Sequence, residues 1–263
     1  KSKILVIMIP KIIHYCWFGK SPLPKDAQEC IASWRKFFPD YEIKEWNESN
    51  FDVNCCPYVR EAYEQKKYAF VSDYARFWVL YNIGGLYFDT DVEVISSFDQ
   101  IIEKGNFMGF EKSLATQNPE SGEPLGVAVG LGMGTEPNMP LIKTFLEFYE
   151  SKPYFSIEDG TIVVYTTEIL KKYGLVNEHR LQNVAGFSIY PADYFCPMDS
   201  TTGLIEMTEN TVSIHHYSCS WIDKNTLCFR LHLLKNKMIK IFGPKFVFGM
   251  IGILGSLKSK IKG

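Results

Sequence analysis

An α/β fold is what this 263-residue sequence predicts. Three observations carry the prediction. Short apolar runs rich in strand-forming residues alternate with amphipathic stretches. Glycine and proline clusters punctuate them. One buried-looking run, Leu86-Tyr87-Phe88, ends in the carboxylates Asp89 and Asp91. Alternating strands and helices build a sheet with helices packed on its faces. Ligands bind such sheets beyond the carboxyl ends of the strands.

The elements follow in order. Ile4 to Tyr15 reads as a first buried strand interrupted by Pro10, too short and too abruptly ended to span a bilayer. Asp26 sits where it can cap a helix running through Cys30 and Trp34 to Phe38. Tyr41 to Trp46 alternates as a second strand, and Tyr58 to Lys67 is helical. Ser72 to Ile83 is the clearest helix, with Phe77, Leu80 and Tyr81 as its apolar stripe. Gly84-Gly85 ends it, and the strand Leu86 to Phe88 follows at once. Short strands are expected at Phe107 to Phe110 and Gly126 to Leu131, around a polar loop from Asn118 to Pro124. Helices are expected at Met139 to Ser151 and Thr166 to Tyr173, and late strands at Phe187 to Tyr190 and Thr211 to His216.

Composition excludes disorder: 46% of residues are hydrophobic and 15% aromatic, enough for a sizeable core. The net charge of −2 points to no nucleic-acid partner. Its distribution is uneven. From Lys224 onward there are eight lysines, one arginine and no acid. The seven cysteines show no zinc-ligand spacing and read as reduced thiols in a cytoplasmic compartment.

The chemistry centres on Asp89-Thr90-Asp91. In an extended segment residues i and i+2 point the same way, so the two carboxylates converge. Converging carboxylates repel unless a cation lies between them. A divalent cation with oxygen ligands suits them, and it commonly keeps open positions for substrate phosphates. Taken alone, such a triplet is more often a solvated turn. Asp73 and Arg76, three apart on the preceding helix, share a face and can reach the same pocket. His215 and His216 adjoin on a late strand and point to opposite faces, His215 with Ser213 and Tyr217, His216 with Ile214. At most one of them reaches a given site.

These motifs together resemble glycosyltransferase family 32, the DXD-motif sugar-binding group, in its bacterial capsule and exopolysaccharide branch. The residues that carry the resemblance are Ile9-Pro10-Lys11-Ile12-Ile13-His14-Tyr15-Cys16-Trp17-Phe18-Gly19, Ser33-Trp34, Pro39-Asp40-Tyr41, Trp46-Asn47, Tyr68 to Arg76, Leu80 to Asp91, and His215 to Trp221. The resemblance implies a GT-A catalytic domain over residues 1–222, a UDP-sugar donor, Mn²⁺ or Mg²⁺, and retention of anomeric configuration. It implies that Trp17 stacks on the nucleotide base, and that Asp73 and Arg76, with Ser72 beside them, hold the donor. Asp89 would lie near ribose and metal, Asp91 would ligate the metal, and His216 would be the late ligand. Ser220 and Trp221 would close over the diphosphate. No residue stands out as a protein nucleophile, so same-face attack with the departing phosphate as base is the expected route. Gly160-Thr161-Ile162 stands where many relatives have Thr-Gly-Pro, which leaves the acceptor open.

The tail, residues 223–263, is read separately. Leu231, Leu234, Met238 and Ile241 form a helical stripe with Arg230, Lys235, Lys237 and Lys240 around it. A basic amphipathic helix lies in a membrane interface. Residues 229–263 are therefore expected on the inner face of the plasma membrane, where the acceptor would be a polyprenyl-diphosphate-linked glycan. Two other readings stand beside this one. A haloacid-dehalogenase-like phosphohydrolase also places Asp-x-Asp after an apolar strand. It wants Thr or Val where Glu93 stands, and its motif belongs on the first strand. A non-catalytic membrane-surface protein would use the tail alone.

Overall fold

A computed structural model describes residues 8–112, 125–154, 160–200, 202–218 and 227–243, with 246, 247 and 250. The expected contacts Ser220 and Trp221, and the loop before Pro124, lie outside these residues. The architecture is mixed α/β around a central sheet. Its strands are β1 (Ile12–Cys16), β2 (Glu42–Trp46), β3 (Gly85–Tyr87), β5 (Phe107–Gly109), β6 (Met133–Thr135), β7 (Gln182–Val184) and β8 (Phe187–Tyr190). They lie in the order β2-β1-β3-β6-β5-β8-β7. A separate two-stranded ribbon pairs β4 (Val92–Val94) with β9 (Ser213–His215). β1 runs parallel to both β2 and β3, whereas β6 is antiparallel to its neighbours β3 and β5.

Apolar side chains alternate across β3 as a two-faced strand requires. Leu86 and Phe88 enter one core, with Trp34, Phe38, Phe98 and Phe107. Tyr87 enters the other, with Phe77, Leu80, Met108 and Phe145. Helix α1 (Lys25–Phe37) buries Ala27, Cys30, Ile31 and Trp34, the stripe its sequence spacing sets. The Trp34 indole then donates to the Val92 carbonyl at 2.8 Å and ties that helix to the ribbon.

Several expectations change: within the described residues the first strand begins only at Ile12, after Pro10, and the helix expected from Thr166 begins at Ile162. Helix α3 spans Tyr68–Asn82, four residues longer at its start than the capping pattern indicates. Ser72 and Asp73 therefore lie one turn inside it, because Val71 belongs to the core and extends the buried face backward. Residues 126–131 form no strand. Only Val127 bridges, to Phe110, and the ladder resumes at Met133. The Gly130 carbonyl is instead taken by the Asp89 amide at 3.0 Å.

One buried histidine locks the sheet to the helix that precedes the DXD residues. The Trp46 indole donates to His14 Nδ1 at 3.0 Å, and His14 Nε2 lies 2.8 Å from the Gly84 carbonyl. An indole N–H only donates, so Nδ1 is the acceptor and Nε2 carries the proton. Burial is the main cause that lowers this imidazole to about 4; the Gly84 bond opposes it and Lys44 assists. Gly84 and Gly85 turn the chain out of α3 at φ of 72° and 105°, where a side chain is strained.

Helix Leu227–Phe242 leaves Leu231, Leu234, Ile241 and Phe242 exposed and buries Ile239. No helix among the described residues is long and apolar enough to cross a membrane.

Candidate active site

Strand β3 ends at Tyr87, and the chain then turns. The Val92 amide donates to the Asp89 carbonyl at 3.0 Å, closing a β-turn over Asp89-Thr90-Asp91-Val92. The two carboxylates do converge, but through this turn rather than by alternation along a strand.

Arg76 braces the first of them. Its Nη2 lies 3.0 Å from Asp73 Oδ1 and 3.4 Å from Asp89 Oδ1, and its Nη1 lies 3.4 Å from Asp89 Oδ2. Its Nε donates to the Ser72 carbonyl at 3.1 Å, and the guanidinium sits 4.8 Å from the Tyr87 ring centroid. The Tyr87 hydroxyl donates to Asp89 Oδ1 at 3.1 Å. Arg76 is 5% exposed and Asp73 9%, so these two form a buried ion pair, with Asp89 half-buried at its edge. Desolvation by burial is the main cause that pushes Asp73 up to about 7; Arg76 opposes it and Asp89 adds to it. Gly130 makes room for the cluster. A Cβ there would collide with the Asp89 carboxylate and stand 3.1 Å from Arg76 Nη1.

Asp91 is held by the other end of the chain. Its Oδ2 accepts from the Ser218 amide at 2.8 Å and from the Ser218 hydroxyl at 3.0 Å, and its Oδ1 lies 3.1 Å from His215 Nε2. Burial opposes its ionisation. The His215 charge and these three hydrogen bonds prevail and hold it well below the carboxylate range. Burial likewise opposes a charge on His215, but Asp91 outweighs it and raises the imidazole well above its ordinary value.

Asp89, Asp91 and His215 each offer a ligand atom, all within 4.8 Å of one another. Two carboxylate oxygens and an imidazole nitrogen fit Mn²⁺ or Mg²⁺ as a donor set. Asp91, held as an anion, suits the role of ligand. His215 turns Nε2 toward Asp91 Oδ1, and that nitrogen can ligate a cation once the ring has given up its proton.

Of the two histidines, the structure places His215, and not the expected His216, with Asp89 and Asp91. The ribbon register sets Val92 opposite His215 and Glu93 opposite Ile214. His216 falls on the Glu93 face, where Nε2 lies 2.9 Å from Glu93 Oε2. Only its backbone amide reaches the Asp91 carbonyl, at 3.0 Å. Alternation shows that one histidine alone can serve, but choosing it requires the register.

The remaining expected residues divide. Trp17 stands just past β1, its indole donating to the Ser21 carbonyl at 2.7 Å. It lines a cleft of about 320 Å³ with Lys20, Ser21, Glu45, Asn47, Glu48 and Ser49. Ser72 turns its hydroxyl back onto the Tyr68 carbonyl at 3.1 Å, so its part is to position Arg76 through its own carbonyl. Ser218, Tyr87 and Gly130 were not foreseen. Ser218 sits within the His215–Trp221 motif, which is the signal that points to it.

Among curated proteins, inositol phosphoceramide mannosyltransferase 3 of Schizosaccharomyces pombe is 28% identical over 121 residues, 40% of this chain and 34% of that protein. The match thus spans about a third of that relative's length. Among solved structures, the PaToxG glycosyltransferase superposes with a TM-score of 0.49 and 18% identity, over 63% of this chain and 70% of that one. The galactosyltransferase LgtC, in complex with donor and acceptor sugar analogs, superposes at 0.34 with 15% identity, over 70% and 74%. Residues 24–108 match the family model described as the glycosyltransferase sugar-binding region containing DXD motif. The matched segment is the one that holds Asp73, Arg76, Asp89 and Asp91.

Proposed function

We propose that this protein is a retaining, metal-dependent glycosyltransferase of GT-A type. It moves a hexose or N-acetylhexosamine from a UDP-sugar to a glycan acceptor. The observation that carries the reading is the junction of two clusters at one turn: the Asp73–Arg76–Asp89 network and the Asp89–Asp91–His215 ligand set.

Asp89, Asp91 and His215 would hold Mn²⁺ or Mg²⁺, which would supply Lewis-acid neutralisation of the diphosphate. Arg76 and Asp73 take the donor sugar's hydroxyls, their geometry preset by the Ser72 carbonyl and the Tyr87 ring. Such positioning supplies much of a transfer rate. Trp17 offers an indole face to the base in the cleft beside Lys20 and Asn47. The acceptor hydroxyl attacks on the face that the diphosphate leaves, and the departing phosphate takes its proton.

The acceptor is a polyprenyl-diphosphate-linked glycan of capsule, exopolysaccharide or O-antigen synthesis, met at the inner face of the plasma membrane. Residues 1–222 form the catalytic domain, and residues 223–263 the surface anchor. Support comes from the basic tail without acids and from the exposed Leu231, Leu234, Ile241 and Phe242. A relative named for a phosphoceramide lipid agrees with a lipid acceptor.

The test is metal-dependent turnover of a panel of UDP- and GDP-sugars, with Asp91→Asn as control. GDP-mannose belongs in it, because that relative is a mannosyltransferase. Turnover of one donor, lost with chelator and in Asp91→Asn, supports the reading. Silence across the panel, with no metal-dependent nucleotide binding, rejects it. Flotation with vesicles containing anionic lipid, compared with a chain ending at residue 222, tests the anchor separately.

A further inference from the structure

Strand β9 ends at His215, and the chain must then double back for Ser218 to reach Asp91. Tyr217 makes that turn. Its φ of 49° lies in the left-handed region, which strains any residue with a side chain and persists only where the surroundings over-determine it. Glycine would make the same turn without strain. Tyr217 is held there by contacts on both sides. The backbone around it is fixed on Asp91, the His216 amide on the carbonyl at 3.0 Å and the Ser218 amide on Oδ2 at 2.8 Å. Its ring packs on the His215 imidazole, with centroids 4.3 Å apart and planes inclined by 58°. Its hydroxyl lies 3.0 Å from Cys196 Sγ.

Cys196 is a fixed point. It is fully buried in the core with Phe98, Phe107 and Phe195. It follows the short helix Ala192–Phe195, and its amide donates to the Ala192 carbonyl at 2.7 Å. Tyr217 therefore bridges that core and the two side chains that touch the Asp91 carboxylate, His215 two residues before it and Ser218 one residue after. It acts on the carboxylate through them.

We infer that Tyr217 is a positioning residue of the candidate metal site: anchored on Cys196, it holds the His215 ring and the Ser218 segment against Asp91 and so sets the affinity for a divalent cation. The inference rests on the metal-dependent reading of that site. Its test is Tyr217→Phe, which keeps the ring and removes the anchored hydroxyl. Manganese titration followed by electron paramagnetic resonance reads the affinity, and turnover of the donor that the panel identifies is measured across Mn²⁺ concentrations. Expected is Mn²⁺ affinity lower by about three- to tenfold, the equivalent of one lost hydrogen bond, with turnover restored as Mn²⁺ is raised. Cys196→Ala removes the other half of the contact and should weaken Mn²⁺ by a similar factor. The double variant should be no weaker than the weaker single variant, because residues in contact do not act additively. Mn²⁺ affinity within about twofold of the unsubstituted protein in Tyr217→Phe, less than one hydrogen bond supplies, overturns the inference and leaves the metal site standing. Losses that multiply in the double variant overturn it too, because the hydroxyl and the thiol then act separately. Turnover that stays low in Tyr217→Phe when Mn²⁺ saturates does the same, because the lesion then lies outside metal affinity. An unsubstituted protein that binds no Mn²⁺ removes both readings.

Discussion

The His14 lock makes a prediction about acid stability whose size follows from its surroundings. The imidazole is buried, accepts from the Trp46 indole and has its folded-state value lowered from 6.5 to about 4. The unfolded chain takes up the proton first as pH falls. The stabilisation is therefore complete above about 6.5 and is lost progressively as pH drops toward 4. A shift of this size is worth roughly 3 kcal/mol, of which about 2.5 kcal/mol is lost between about pH 7.5 and 4.5. Asp73 acts in the same window with the opposite sign. Its folded value is raised to about 7, so its contribution becomes less unfavourable on acidification. The pH curve of one protein alone would hide both effects. The perturbation is therefore His14→Asn, which cannot titrate yet keeps an acceptor near the position of Nδ1. Urea unfolding of both proteins at a series of pH values gives the stability difference. It should shrink by about 2.5 kcal/mol as pH falls from about 7.5 to 4.5. Parallel curves would refute the assigned tautomer and with it the neutral lock on Gly84.

Three further outcomes follow from the site. His215→Ala should weaken Mn²⁺ binding by on the order of 10- to 100-fold, whereas His216→Ala should stay within about threefold; manganese titration followed by electron paramagnetic resonance separates them, and a larger effect at His216 would reverse the ligand assignment. Arg76→Met strands Asp73 and Asp89 and should cost on the order of 3–5 kcal/mol in denaturant unfolding, the typical loss when one partner of a buried ion pair is removed. A loss under about 1 kcal/mol, typical of exposed pairs, would show that the cluster is not desolvated. Gly130→Ala forces the Asp89 carboxylate aside and should lower donor turnover by at least about tenfold, the cost of misplacing a reacting group by an ångström, while UDP-sugar hydrolysis by a distant control such as Lys143→Ala, an exposed side chain, is unchanged.

Residue types were more legible than geometry, and the reason differs at each position. Asp73 and Arg76 could be paired from sequence because helical spacing is local, and α3 keeps that spacing wherever it begins. Its start was misplaced because Ser72 and Asp73 look like capping residues, while the burial of Val71 depends on a core built from residues distant in sequence. The carboxylate pair was anticipated for the wrong local reason. Period-2 alternation and a β-turn both bring i and i+2 together, and the turn is closed by an amide three residues after Asp89, a bond that does not depend on the apolar pattern.

His215 marks the boundary of what one-dimensional patterns contain. The two histidines are equivalent in the sequence, and the pairing of β9 with β4, more than a hundred residues apart, breaks the tie. A register shift by one residue would exchange their faces. The position of the His215 side chain beside Asp91 depends on that pairing, so it is sensitive to changes that leave the motif intact. A substitution that shifts the ribbon register would retain Asp89 and Asp91, yet exchange the imidazole that lies beside them for one paired with Glu93.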